Sequence, residues 1–279
     1  MGPTRTDRVR QLVVVLAEVF CVVGTLVGTG VIGTPVAETA GGALSADATL
    51  VAPAGTAFSI WSVIYLGLAA YTIWQLLPGN ADDARARATG WLAAASMVLN
   101  ATWLLVTQAD LVWLSVVVIV VLLAVLVELV RRLARHRAEG WVDRLVVDAT
   151  FGLYLGWVAV ATCANTAAAV GDSRWDVSSA DTIAVVGTIA LLALLTTLEV
   201  GFFWRYGARW AVALASAWGL AWVAVGRTAE TPESLPTAIA AGVCAAVLLL
   251  AAAVLPSGPR GRSTAGRRVR TSTPMSASR

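Results

Sequence analysis

The sequence lacks several residue types on which the sites of many soluble proteins depend. All 20 basic residues are arginine, so lysine is absent, and His136 is the only histidine. The three cysteines, Cys21, Cys163 and Cys244, lie in separate apolar runs and form no CxxC pair. These absences give no support to a metal site, a disulfide framework or haem held by axial histidines. With no recognisable nucleophile–base pair either, we expect no catalytic residue, no enzymatic activity and no obligatory cofactor.

Charge is also scarce, and apolar residues take its place. Only 13% of the 279 residues are charged while 58% are hydrophobic, and the mean hydropathy is +0.77. Long apolar runs of this kind are typical of integral membrane proteins. The net charge of +3 lies in loops and tail, which suits an anionic lipid surface better than a nucleic acid. The lipid bilayer is therefore the expected partner, and no nucleic acid is expected.

The apolar runs predict an all-α, polytopic membrane bundle of eight helices. They cover approximately residues 11–36, 57–77, 90–108, 111–133, 146–170, 181–203, 208–225 and 236–255. We divide the chain into a basic N-terminus (1–10), a five-helix domain (11–170), an additional three-helix region (171–255) and a basic tail expected to be disordered (256–279). The first run starts like a signal peptide, but Gly24 and Gly28 form a small-xxx-small packing face, so we expect it to be retained. The same two glycines could equally serve a homodimer.

The arginines predict the orientation of the bundle. All but two of them lie at the N-terminus, in the tail, and in the loops that connect helices 2 and 3, 4 and 5, and 6 and 7. The opposite side carries only Arg174 and Arg227. Because positively charged loops stay in the cytoplasm, this asymmetry favours a multi-pass protein of the cytoplasmic (inner) membrane with both termini inside.

A polar and aromatic face in the fifth helix is the strongest candidate for a site. Tyr154, Trp157, Ala161 and Asn165 follow each other at intervals of three or four residues, so they share one narrow face. An amide in hydrocarbon is costly unless it is satisfied, so this face should point into the bundle or a cavity. The alternative is that these residues only pack helices together.

Two further helices carry similar faces at matching depths. These faces hold Phe58, Trp61 and Tyr65 in the second helix, and Asn100 and Trp103 in the third. At ~1.5 Å per residue, Trp61, Trp103 and Asn165 lie roughly 6–8 Å below the outer boundary, and Tyr65, Asn100 and Ala161 roughly 12–14 Å below it. Such a group suits a largely apolar pocket for a small flat ligand. The loop 37–55 lies on the same side and is a candidate lid.

The pattern of these residues resembles the TspO/MBR family, the tryptophan-rich sensory or translocator proteins. The resemblance covers about residues 11–170 and rests on Trp61-x3-Tyr65, Asn100-x2-Trp103 and Tyr154-x2-Trp157-x3-Ala161-x3-Asn165. It implies a five-helix receptor that binds porphyrins and related tetrapyrroles beneath its first loop. The resemblance implies that the pocket is lined by Trp61, Trp103, Trp157 and Ala161. It also implies that two amides, Asn100 and Asn165, support the pocket through polar contacts. Leu153 stands where the family usually has proline, and three helices are added, as in an extended member.

Four acidic residues inside apolar runs leave a second function class open. Glu18, Glu128, Asp148 and Glu199 all lie toward the predicted cytoplasmic side, where they could pair with arginines. If Glu18 instead faces a wet cavity, the chain could be a secondary transporter of a small amphipathic solute. No clear internal repeat supports that alternative.

Overall fold

The computed structural model describes residues 2–28, 30–32, 34–173, 181–207 and 210–255. Within these residues the chain is all-helical, and eight helices are long and apolar enough to cross a membrane. They are α1 (Arg5–Gly28), α2 (Ile60–Leu76), α3 (Ala84–Gln108), α4 (Val112–Arg135), α5 (Thr150–Asp172), α6 (Thr182–Tyr206), α7 (Trp210–Ala229) and α8 (Leu235–Val254). The predicted all-α membrane bundle is thus confirmed. The tail 256–279 and Arg174, which entered the predictions above, lie outside the described residues.

Several helix boundaries differ from the sequence prediction. Helix α1 begins at Arg5 rather than 11, within the segment predicted as the basic N-terminus, and α7 ends at Ala229 rather than 225. Two further differences have a local reason. Helix α1 ends at Gly28 rather than near residue 36, because Gly30 adopts φ +77° and a turn follows. Helix α3 begins at Ala84 rather than 90 because the Asp83 side chain accepts hydrogen bonds from the backbone N–H groups of Arg85 and Ala86. This is an ordinary N-cap, and it places Arg85 in the first turn of the helix instead of the preceding loop.

Close packing of α1 against α3 explains the two glycines of the first helix. A Cβ added at Gly24 would lie 2.8 Å from the Ala101 Cβ, and one added at Gly28 would lie 2.3 Å from a Leu104 methyl carbon. Such distances are too short for a side chain, so small residues are needed where the two helix backbones approach. The small-xxx-small face is therefore used within the chain.

Helix α5 lies at the centre of the bundle. It packs against α4 and α2 on one side and against α7 on the other, while α8 packs on α7 and α6 packs on α8. Gly156 marks the close crossing of α5 with α7, since a Cβ there would lie 2.3 Å from the Val212 carbonyl oxygen. A π-helical stretch, Asp143–Ala149, leads into α5. The contact of α5 with α7 is therefore the main one between the last three helices and the first five.

The basic segments meet at one end of the bundle. Arg87 of α3 donates to Asp7 of α1 at 2.6 Å, and Arg85 pairs with Asp148 before α5. This convergence agrees with the predicted alternation of the helices. At the opposite end, Arg227 of α7 contacts the loop that follows α1. The choice of the cytoplasm for the basic end stays a prediction.

Candidate functional site

Aromatic rings from α2, from the segment leading into it and from α5 form one connected group. The Trp61 ring lies 6.2 Å from Trp157 and 5.8 Å from Tyr154, both edge to face, and it stacks on Tyr65 at 5.1 Å. Phe58 meets the Trp157 ring edge to face at 5.6 Å. These separations are those of favourable aromatic pairs. The predicted faces of the second and fifth helices therefore come together.

The polar residues of these faces also pair as their predicted depths require. Asn100 Nδ2 donates to the Tyr65 hydroxyl at 3.1 Å, and Trp103 Nε1 donates to Asn165 Oδ1 at 2.7 Å. Each pair joins two helices: α3 with α2, and α3 with α5. The depth matching of Tyr65 with Asn100 and of Trp103 with Asn165 is thus confirmed.

Ser115 of α4 belongs to the same polar cluster and was missed in the sequence. Asn165 Nδ2 donates to Ser115 Oγ at 2.9 Å, while the Ser115 hydroxyl lies 2.6 Å from its own helix carbonyl at Val112. A serine in an apolar helix usually bonds to the preceding turn, so its sequence context gave no sign of a second role. The signal that could have found it is that Ser115 is the first polar residue of α4.

Two small cavities lie among these residues, beneath the first loop. The larger, of about 40 Å³, lies between the loop residues Leu44 and Pro53 and the α5 residues Trp157 and Ala161. The smaller, of about 20 Å³, is lined by residues that include Trp61, Asn100, Trp103 and Trp157. Residues of the first loop thus form part of the wall of the larger cavity, and their role as a lid stays a prediction. Ligand pockets usually measure hundreds of cubic ångströms, so the site is closed in this conformation.

Seven of the nine candidate residues line these cavities. They are Phe58, Trp61, Asn100, Trp103, Trp157, Ala161 and Asn165. Tyr65 and Tyr154 line neither of the two cavities but support them: Tyr65 stacks on Trp61, and the Tyr154 hydroxyl donates to the Ser96 carbonyl oxygen of α3 at 3.1 Å.

Two buried polar atoms at the cavities have no hydrogen-bond partner within the described residues. Trp157 Nε1 is an unpaired donor on a side chain that is 1% exposed, and Asn100 Oδ1 is an unpaired acceptor on one that is 0% exposed. Buried polar groups are nearly always paired, because leaving one unsatisfied costs about 1–3 kcal/mol. A ligand or water with both an acceptor and a donor would satisfy this pair.

Helix α7 holds the loop that covers the site. The guanidinium of Arg227, 1% exposed, donates to the carbonyl oxygens of Thr49 at 3.0 Å and Ala46 at 2.8 Å. It also donates to the Pro232 carbonyl oxygen beyond α7 at 3.0 Å. One buried cation therefore joins two loops at the outer end of the predicted topology.

Two tryptophans of α7 extend this contact along the loop. Trp218 Nε1 donates to the Ala57 carbonyl oxygen at 3.0 Å, and the Trp222 carbonyl oxygen accepts from the Ala54 N–H at 3.1 Å. In the structure they bind the backbone of the segment that enters α2.

Residues 12–254 match the family described as TSPO-like protein. The chain belongs to this family. The match begins within α1 and reaches the last residue of α8, so α6, α7 and α8 of this TSPO-like protein lie within the matched region. Neither a curated protein nor a solved structure matches the chain.

The intramembrane acids of this TSPO-like protein divide into two kinds. Glu128 accepts from Arg131 and Arg132, and Asp148 pairs with Arg85, as the arginine-pairing interpretation requires. Glu18 and Glu199 are buried, and no ion pair joins either of them to an arginine within the described residues; each keeps one carboxyl oxygen without a hydrogen-bond partner. Pairing with arginine therefore explains only half of the set.

Proposed function

We propose that this TSPO-like membrane protein is a receptor that binds a tetrapyrrole, or a similarly flat apolar molecule, between α2, α3 and α5 beneath the first loop. The observation that carries the proposal is the unpaired donor of Trp157 and the unpaired acceptor of Asn100 in an otherwise aromatic site. The pyrrole N–H groups of a tetrapyrrole are donors that match Asn100 Oδ1. Acceptor atoms on its ring substituents match Trp157 Nε1. The indole and phenyl rings of Trp61, Trp157 and Phe58 supply stacking surface.

Binding requires the site to open, because cavities of about 40 and 20 Å³ hold only a few waters. The first loop is the part of the wall that is not a membrane helix, so its displacement is the simplest route. In this scheme the apparent affinity is the intrinsic affinity reduced by the fraction of molecules whose loop is open. Affinity and loop opening are then two separately measurable quantities.

The proposal is tested by quenching of tryptophan fluorescence with protoporphyrin IX on the purified protein. Ala161 borders both cavities, so Ala161→Phe fills the space that the ligand would use. We expect at least tenfold weaker binding, which corresponds to about 1.4 kcal/mol. Trp157→Phe keeps an aromatic ring but removes the N–H donor, and we expect a smaller loss of affinity.

The matched control is Ala246→Phe, the same substitution on an exposed part of α8 far from the cavities. Its affinity should equal that of the unmodified protein. If Ala161→Phe and Trp157→Phe bind protoporphyrin IX as tightly as this control, the proposed pocket is wrong. Loss of affinity in all three variants would point to general damage to the fold, which a thermal unfolding measurement separates from loss of binding.

A second candidate function, secondary transport of a small amphipathic solute, is favoured by Glu18. Its carboxyl lies buried in α1, with one oxygen unpartnered, one turn from Cys21. Cys21 in turn contacts Asn100 Nδ2 at 3.5 Å, beside the smaller cavity. Proton-coupled flux in liposomes that Glu18→Gln abolishes would favour transport, whereas porphyrin binding without such flux would favour the receptor.

A further inference from the structure

Glu199 of α6 is a buried carboxyl group to which the receptor function assigns no role. It lies on the one buried face of α6, with Leu192, Leu195, Thr196 and Phe203, and is 7% exposed. Its Oε1 lies 2.7 Å from the Ser216 hydroxyl of α7, and its Oε2 has no partner among the described residues. An ionised carboxylate so poorly satisfied in hydrocarbon would be very costly.

The geometry of Ser216 indicates where a proton lies. Ser216 Oγ is 2.7 Å from Glu199 Oε1 and 3.1 Å from the Gly156 carbonyl oxygen of α5. A hydroxyl group has one hydrogen to donate. Both contacts are hydrogen bonds at the same time when Glu199 carries a proton and donates it to Ser216, which then donates to Gly156. With Glu199 ionised, the single hydroxyl hydrogen would be shared between two acceptors.

Within the part of the chain that the structure describes, no ion pair joins an arginine to Glu199. From α5 the titratable neighbour is the Cys163 thiol, and α8 has no charged residue and contributes only Cys244. On α4, Glu128 already pairs with Arg131 and Arg132. Further along α6, the Arg205 guanidinium lies over the Tyr206 ring, 5.2 Å from its centroid.

We propose that Glu199 and Ser216 form a proton-binding site in the membrane, in which the Glu199 carboxyl is neutral at neutral pH. The site joins α6, α7 and α5 at the point where α5 and α7 approach most closely. Gly156 directly precedes Trp157, whose ring lines both cavities. Loss of the proton would break the chain of hydrogen bonds at the back of the proposed ligand site.

Infrared difference spectroscopy of the reconstituted protein tests this site. A neutral carboxylic acid shows a C=O stretch at higher frequency than the amide and carboxylate bands. At pH 7 the spectrum of the unmodified protein minus that of Glu199→Gln should contain one such band, equivalent to one carboxyl group. Ser216→Ala removes the hydrogen-bond acceptor of the acid, so its band should persist and move to a higher frequency.

The controls separate Glu199 from the other buried acids. Glu128→Gln should leave the band unchanged, because both Glu128 oxygens accept from arginines. Glu18→Gln identifies any band that belongs to α1. The proposal is overturned if the difference spectrum for Glu199→Gln contains only carboxylate bands at pH 7. If Glu199→Gln does not fold, the absence of a band shift in Ser216→Ala overturns it instead. Neither outcome depends on whether the protein binds porphyrin.

Discussion

Arg227 and Thr49 are 178 residues apart in the chain, yet an Arg227 guanidinium nitrogen lies 3.0 Å from the Thr49 carbonyl oxygen. This contact joins the helices that follow α5 to the loop that covers the candidate site between α2, α3 and α5. A buried guanidinium surrounded by backbone carbonyls holds a loop through several fixed donors at once. Arg227 therefore restrains the loop whose displacement the proposed opening of the site requires.

Arg227→Met should loosen the loop. The substitution removes three hydrogen bonds from a charged donor, each worth about 1.5–3 kcal/mol when the acceptor has no other partner. We expect amide hydrogen exchange of residues 43–54 to rise at least tenfold, and protoporphyrin IX to associate faster in stopped-flow measurements. The exchange and association rates of Arg227→Lys should lie between those of the unmodified protein and of Arg227→Met, because an ammonium group keeps the charge but cannot form the same fork of hydrogen bonds.

Arg205→Met is the matched control for this experiment, since Arg205 lies in the last turn of α6 at the other end of the bundle. Exchange of residues 43–54 should be unchanged in that variant. Equal exchange in Arg227→Met and in the unmodified protein would show that the loop is held by other contacts.

Asn165→Ala should destabilise the bundle more than Ser115→Ala. Asn165 bonds to Trp103 of α3 and to Ser115 of α4, so its loss leaves the buried Trp103 N–H unpaired. Ser115→Ala removes only the second link: it takes the acceptor from Asn165 Nδ2 but leaves the bond from Trp103 to Asn165 in place. Interhelical hydrogen bonds in membranes are worth about 0.6–2 kcal/mol, and an orphaned buried donor costs about 1–3 kcal/mol. Unfolding in detergent, followed by tryptophan fluorescence, measures both variants, and equal losses would contradict the assigned role of Asn165.

The sequence was sufficient to predict which polar side chains of α2, α3 and α5 lie at similar depths, but not the individual ring contacts of Trp61. In a membrane-spanning helix, the number of residues from the helix end gives the depth of a side chain. The sequence therefore places Asn100 at the depth of Tyr65, and Trp103 at the depth of Asn165. Contacts that depend on loop conformation could not be predicted in this way. The sequence places Arg227 on the outer side. Nothing in the residues next to it in the sequence indicates that it contacts the backbone of residues 46–49.

Helix boundaries are a second feature that the apolar pattern of the sequence predicts only in part. The apolar runs predict a loop at Arg85 and Arg87, because charged residues separate the run 57–77 from the run 90–108. The cap formed by Asp83 extends α3 by one and a half turns of polar helix, at the end of the bundle where the basic segments meet. Apolar periodicity defines the part of a helix that lies in hydrocarbon, whereas capping residues define where the helix begins.

The arginine distribution predicts that a reporter fused to the C-terminus stays in the cytoplasm. An alkaline phosphatase fusion, which is active only after export, should be inactive there, and a fusion within the loop 37–55 should be active. The physical reason is the retention of positively charged segments on the cytoplasmic side. An active fusion at the C-terminus would contradict the predicted orientation but not the fold.

Gly24→Ala should destabilise the α1–α3 contact, although alanine is a better helix former than glycine. The added Cβ would lie 2.8 Å from the Ala101 Cβ and 3.0 Å from its Cα, so a helix backbone must move. Overpacking of this kind costs about 1–3 kcal/mol. Gly242→Ala, on an open part of α8 with nothing within 4 Å of the new Cβ, is the control and should not lower the Tm. Adding Ala101→Gly to Gly24→Ala moves the methyl group from one helix to the other, so the double variant should recover most of the lost stability. If it does not, overlap between the added methyl group and Ala101 is not the cause of the loss.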